Sequence, residues 1–497
     1  MLVQSTRSDY QSDDLSAVLE GLAPDGGLFV EKELGSRPFD WRACLPCAPL
    51  ERAEKILSYL LPGFAGMGEL VRQAYAGKFE TTELTPLVPV GQDYVLELFR
   101  GPTSAFKDVA LSLLPRLISA GRRQKALPGE TVILTATSGD TGKAALEGFH
   151  DVTGTRIFVF YPAGGVSEIQ QLQMSTQPGA NVQVCAVRGN FDDCQTRVKQ
   201  AFAALRENEA LQKRGFSFSS ANSINIGRLA PQVIYYFSAY ARLAELDRIR
   251  VGDPVDFTVP TGNFGDILAG WMAKRLGLPV GRLICASNAN RVLTDFFETG
   301  IYDRKREFYK TASPSMDILV SSNLERMLFY ISDGDTALVR ACMKELAEQG
   351  RYRFPEELMA KLRESFAAGC CTEAETKETI GRLWRERGYL CDTHTAVAFR
   401  VAEQFRREAP MVVLSTASPY KFPAAVLEAL GEAVPEDAFR QMEKLEALTG
   451  VPAPRGLREL KGRPVRFRDE IGPEELCSYV TGKLLGCPGK ETHHEAQ

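Results

Sequence analysis

Val132-Ile-Leu-Thr-Ala-Thr-Ser-Gly-Asp-Thr-Gly142 passes from an apolar run through hydroxyls and glycines into a helical pattern. A strand that hands over to a helix in this way is the repeating unit of a parallel sheet with crossover helices. The pattern recurs along the chain. Short apolar runs at Val132–Ala136, Ile157–Tyr161, Val182–Val187, Phe257–Val259, Leu283–Ala286 and Val412–Leu414 alternate with helical segments, which predicts an α/β protein. Two stretches depart from the rhythm. The first eighty residues read as mostly helical, apart from the turn at Pro24-Asp-Gly-Gly27. Asp335–Arg407 is charge-rich, with Leu338, Cys342, Leu346, Leu358, Leu362 and Phe366 at helical spacing, and reads as a helical insertion.

The composition narrows the function. A chain of 497 residues with 44% hydrophobic content can bury a large core in two or three domains. A net charge of -4 gives no bias toward nucleic acid or anionic membranes. The 11 cysteines are scattered and do not form a secreted disulfide framework. Cys44-Leu-Pro-Cys47 has zinc-like spacing without a second pair, so it reads as structural and no metal site is expected. With four histidines, two of them in the polar tail, histidine acid–base chemistry could rest only on His150 or His394. The chain begins without a basic-then-apolar leader, and no stretch is long and apolar enough to span a bilayer. A reduced, soluble, cytoplasmic protein is expected.

In open α/β sheets ligands bind beyond the carboxyl ends of the strands, and three loops stand there. Thr135–Gly142 offers hydroxyls and amides suited to a carboxylate. It is not a nucleotide P-loop, because its first glycine is too close and Ala144 stands where magnesium needs a hydroxyl. Thr261-Gly-Asn-Phe-Gly-Asp266 precedes an apolar helix, and glycines at a helix N-terminus suit an anion, although one such loop alone is ordinary turn chemistry. Leu414-Ser-Thr-Ala-Ser-Pro-Tyr-Lys-Phe422 places Ser418 as a helix cap before Pro419 and leaves Thr416 for a ligand. A fourth element, Gly101-Pro-Thr-Ser-Ala-Phe-Lys-Asp108, sets Lys107 at the mouth of a helix, with Ser104 able to cap it. An amine near the positive end of a helix and partly desolvated loses its proton more easily and can attack a carbonyl.

In these motifs the sequence resembles threonine synthase, and the resemblance covers almost the whole chain. Further matching stretches are Ser5-Thr-Arg7, Gly21–Gly27, Tyr161–Met174, Asn190–Gln195, Ser220–Arg228 and Ser313–Asn323. The resemblance implies fold type II of the pyridoxal-phosphate enzymes, the tryptophan-synthase-β-like fold. The expected layout is an N-terminal, mostly helical region over 1–85, a smaller α/β domain over 86–230 and a larger one over 231–497 that includes the insertion 335–407. It implies that Lys107 carries the cofactor, that Gly262, Asn263, Phe264 and Gly265 cradle its phosphate with Asp266 in the same loop, and that Thr416 faces the ring nitrogen. Asp266 is awkward beside a dianion and is expected to turn toward backbone amides. Thr137, Ser138, Asp140 and Thr141 would serve the substrate's carboxylate end, with Asp140 organising the loop or serving the cofactor side, since an ionised acid cannot bind a carboxylate. Asn222, Ser223 and Arg228 would take the substrate phosphate.

The implied reaction converts O-phospho-L-homoserine and water to L-threonine and phosphate, in a monomer or homodimer. A phospholyase releasing 2-oxobutyrate is the nearest alternative. A serine or threonine dehydratase would leave Arg228 idle, and a non-catalytic binding protein would have no use for Lys107. The chain departs from the family at Ser8, where glycine is common, at Thr393, where proline is usual, and at Ser418-Pro-Tyr-Lys421, where His-Pro-Ala-Lys is more common.

Overall fold

The computed structural model describes residues 1–137, 139–189 and 191–486, with side chains for all of these except 191–193. Two parallel sheets organise the chain. The larger has six strands in the order Phe366–Cys370, Val280–Ser287, Val255–Pro260, Met411–Ser415, Asp93–Glu97 and Leu87–Val90, all parallel except the last, which forms an antiparallel hairpin. The smaller has five parallel strands in the order Glu470–Ile471, Val182–Val187, Thr155–Pro162, Glu130–Ala136 and Phe216–Ser219. All six apolar runs lie within strands. Val255–Pro260 and Met411–Ser415 are buried at every residue, as strands covered by helices on both faces must be.

Three expectations need correction. The N-terminal region is not mostly helical, because Leu2–Ser5, Gln11–Asp13 and Phe29–Val30 pair as a small antiparallel sheet beside its helices. Strands Leu87–Val90 and Asp93–Glu97, expected in the smaller domain, complete the larger sheet, while Glu470–Ile471 crosses back to the smaller one. The stretch 335–407 is not a helical insertion throughout. Its Phe366–Cys370 segment is an edge strand of the larger sheet, and its helix Thr393–Ala402 packs against the central strands.

Two helices position the chemistry. Helix Lys107–Gln124 buries Leu111, Leu113, Leu114, Leu117 and Ile118, and packs against helix Asp140–Phe149. Their approach is so close that any side chain at Gly148 would collide with the Leu111 carbonyl. Gly148 therefore sets the spacing of the two helices whose first residues are Lys107 and Asp140. Replacing it with alanine should destabilise the fold by about 1–3 kcal/mol, seen as a lower thermal midpoint in calorimetry. An unchanged midpoint would contradict this packing.

Candidate active site

The Lys107 loop does not stand at a strand end of its own; it is zipped onto one. Phe106 N–H donates to the Thr416 carbonyl at 2.8 Å, and Ser418 N–H donates to the Ser104 carbonyl at 3.1 Å. Ala105 and Ala417 form an antiparallel bridge between these bonds. Ser104 has φ of 59°, a conformation costly for a residue with a side chain. It is not the helix cap, because the residue before the helix is Phe106 and no side chain caps it. Asp108 closes the loop instead. Its carboxylate accepts from Thr103 N–H at 2.8 Å and from Thr103 Oγ1 at 2.5 Å. Burial pushes the Asp108 carboxyl up to about 6 against these bonds.

Lys107 is buried, with its Nζ 4.6 Å from the centre of the Phe106 ring. Burial pulls the amine down to about 8. Asp140 opposes the shift, and the cations Arg228 and Lys421 reinforce it. Lys421, itself buried, reaches Asp140 Oδ1 at 2.7 Å and the Thr103 carbonyl at 3.1 Å. Burial acts to raise the Asp140 carboxyl. Lys421 and Lys107, with a bond from Gln170 Nε2 at 3.1 Å, nevertheless hold it well below the usual carboxylate range. Asp140 thus organises the loop and is not free for a substrate.

Thr137 is likewise engaged. Its hydroxyl accepts the Gly139 and Gly142 N–H groups at 3.0 and 2.9 Å, folding the turn at the helix N-terminus. The amides of Asp140 and Thr141 have no acceptor among the described residues. Ser138 and Asn190 lie outside the described residues.

The glycine loop is built to expose amides. Ser321 Oγ donates to the Gly262 carbonyl at 2.7 Å, and Asn323 N–H donates to that of Asn263 at 3.0 Å. With their carbonyls turned to this support, the N–H groups of Gly262, Asn263, Phe264 and Gly265 have no acceptor among the described residues. A side chain on Gly262 would come within 2.7 Å of the Ser315 carbonyl. Phe264 adopts φ of 64° and buries its ring against Phe297 and Phe366, so only its backbone can serve a ligand. Asp266 is raised to about 6 by burial, and its carboxylate accepts the Ile267 N–H at 2.9 Å. It turns to backbone amides, which removes the conflict with an anion.

Arg228 lies nearby as a fully buried guanidinium, pulled down to about 10 by burial alone. It donates to the Ala221 carbonyl at 2.8 Å and has no carboxylate partner among the described residues. Among the described residues no salt bridge gives it a purely structural role. Asn222 and Ser223 are half-buried, and Ser223 Oγ lies 3.2 Å from Ser322 Oγ, which in turn meets Asn263 Oδ1 at 3.4 Å. One support therefore joins the 222–228 segment to the glycine loop. The Ser5-Thr-Arg7 motif braces it from behind: Thr6 Oγ1 and Arg7 Nε bond Glu325 Oε1 at 2.5 and 2.8 Å, two residues after Asn323.

Residues 83–417 match the model of the pyridoxal-phosphate dependent enzymes, and 395–468 match the threonine synthase C-terminal model. Threonine synthase of Pseudomonas aeruginosa is 39% identical over 446 residues, covering 88% of this chain and 92% of its own length. The chain belongs to the threonine synthase family. The X-ray structure of PLP-bound threonine synthase from Brucella melitensis superposes with a TM-score of 0.85 at 39% identity, covering 97% of this chain and 98% of that one. Threonine synthase-like 1 of Macaca fascicularis is also 39% identical, over 88% of this chain, but the chain spans only 60% of that relative's length.

Pyridoxal phosphate is the cofactor, and the residues fit it: one buried amine of depressed basicity, a row of free amides for a phosphate, and the Thr416 hydroxyl at a strand end. Two features of this threonine synthase family site were not legible as roles. Lys421 was visible only as a motif residue, because its partner Asp140, 281 residues away in sequence, is brought to it only by folding. His394 was visible as a lone histidine and is fully enclosed.

Below pH 8 the Lys107 amine is mostly protonated, and above it mostly free. Capture of pyridoxal phosphate by the cofactor-free protein should quicken with rising pH and level off above about 8. Arg228→Met removes a cation that lowers Lys107, so it should move the midpoint to higher pH. Stopped-flow absorbance measures both, and a midpoint near the ordinary lysine value of 10.5 in the unaltered protein would contradict the account.

Proposed function

We propose that this chain converts O-phospho-L-homoserine and water to L-threonine and phosphate. The observation that carries the reading is Arg228. A buried guanidinium without a carboxylate costs free energy unless an anion arrives to meet it. The glycine loop already offers amides for the cofactor phosphate, so Arg228 marks a second anion position, as a phosphorylated substrate requires. A dehydratase substrate would leave that charge unmatched.

The cofactor, when bound, supplies an electron sink conjugated to the substrate's Cα. The chain supplies the rest. The free amides of Asp140 and Thr141 at a helix N-terminus suit the substrate carboxylate, in place of the Thr137 hydroxyl and the Asp140 carboxylate. Arg228, with Asn222 and Ser223, holds the γ-phosphate and stabilises it as it leaves. Lys107 Nζ, tuned near neutrality, takes the Cα proton, serves the Cβ proton next and returns one to Cγ. Water then adds its hydroxyl at Cβ, and a proton returned to Cα completes threonine. Lys421 keeps Asp140 ionised and in place, so the carboxylate stays off the substrate path.

The cofactor-loaded protein should release threonine and phosphate in equal amounts from O-phospho-L-homoserine. Lys107→Ala should abolish both. Arg228→Met should lower kcat/KM by about 100-fold through loss of charge-assisted bonds. Phosphate accompanied by 2-oxobutyrate would keep the site but change the product, and no phosphate at all would remove the proposed role of Arg228.

A further inference from the structure

Asp392, fully buried, caps helix Thr393–Ala402 by accepting the His394 and Thr395 N–H groups at 2.9 and 3.1 Å. Capping alone would leave the side chains of this first turn without a common direction. They reach instead to both walls of the cofactor site. His394 Nδ1 meets Asp392 Oδ2 at 2.6 Å, and its Nε2 accepts the Ser315 N–H at 3.1 Å. An accepting Nε2 carries no proton, so Nδ1 carries the proton that Asp392 accepts. Ser315 is the residue whose carbonyl stands where Gly262 has room for no side chain. Thr393 Oγ1 donates to the Ala312 carbonyl at 2.7 Å and holds the same turn. On the other wall, Thr395 Oγ1 bonds Asp392 and lies 2.9 Å from Ser415 Oγ, the residue before Thr416.

We propose that His394, held in its Nδ1–H form by Asp392, is a positioning residue for the phosphate-binding loop Gly262–Gly265. It fixes the Ser315 turn on which Gly262 rests, and so sets the depth at which the four free amides meet the cofactor phosphate. The Asp392 carboxylate is the common anchor, since it also orients Thr395 toward the strand end that carries Thr416. This inference rests on the cofactor assignment and not on the choice of substrate.

Two near-isosteric replacements separate the nitrogens. In His394→Gln the amide oxygen can stand at Nε2 and accept the Ser315 N–H. In His394→Asn the amide nitrogen can stand at Nδ1 and keep the Asp392 bond while the acceptor is lost. Titration of cofactor-free protein with pyridoxal phosphate, followed by absorbance, gives the dissociation constant, and the thermal midpoint of the cofactor-free form reports folding. The asparagine variant should bind the cofactor about tenfold more weakly, and the glutamine variant within about threefold of the unaltered protein. Equal affinity in the two variants, or the reverse order, would overturn the proposal, because a helix-capping role would favour asparagine. If neither variant folds, Thr393→Val decides. It removes the second hold on the turn at constant shape and should weaken cofactor binding about threefold with little change in melting, and an unchanged dissociation constant would overturn the proposal.

Discussion

The buried ion pair between Asp140 and Lys421 is the contact on which the site depends. Asp140 begins a helix of the five-stranded domain, and Lys421 follows the strand Met411–Ser415 of the six-stranded one. Removing two charges from water is costly, and such a pair persists only where its other valences are filled. Here they are: Lys421 also donates to the Thr103 carbonyl, and Asp140 also accepts from Gln170. Three segments distant in sequence, the turn before helix Asp140–Phe149, the lysine loop and the end of a central strand, are thereby fixed to one point.

That arrangement determines the electrostatics. Arg228 and Lys421 act on Lys107 across a buried space, with Asp140 opposing, and the amine is pulled down to about 8, near a guanidinium that has no carboxylate partner among the described residues. Backbone amides supply the remaining recognition, since both glycine turns place helix N-termini where no protein acceptor meets them among the described residues.

Much of this was legible in the sequence, for physical reasons. The six apolar runs announced themselves because parallel strands covered on both faces are apolar throughout. Phe366-Ala-Ala-Gly-Cys370 did not, since it is an edge strand of small residues inside a charge-rich stretch. Leu87–Val90 and Asp93–Glu97 form a hairpin in which Pro89 interrupts one strand and Asp93 and Glu97 bound the other, which hides the strand pattern. At the site, Lys107, the glycine loop and Arg228 could be named from motifs. The duties of Thr137 and Asp140 could not, because they depend on which amides and cations the fold brings to them. His394 was hidden for the same reason: its meaning lies in Ser315 and Asp392, and only the folded chain shows that both ring nitrogens are taken.

The central claim is that one lysine, Lys107, is made reactive by the way its loop is held, while the equally buried Lys421 is tied to Asp140. Borohydride reduction of the cofactor-loaded protein, followed by peptide mass spectrometry, tests this directly. The account predicts a pyridoxyl group on Lys107 and an unmodified Lys421. A pyridoxyl group on Lys421, or its absence from Lys107, would contradict it.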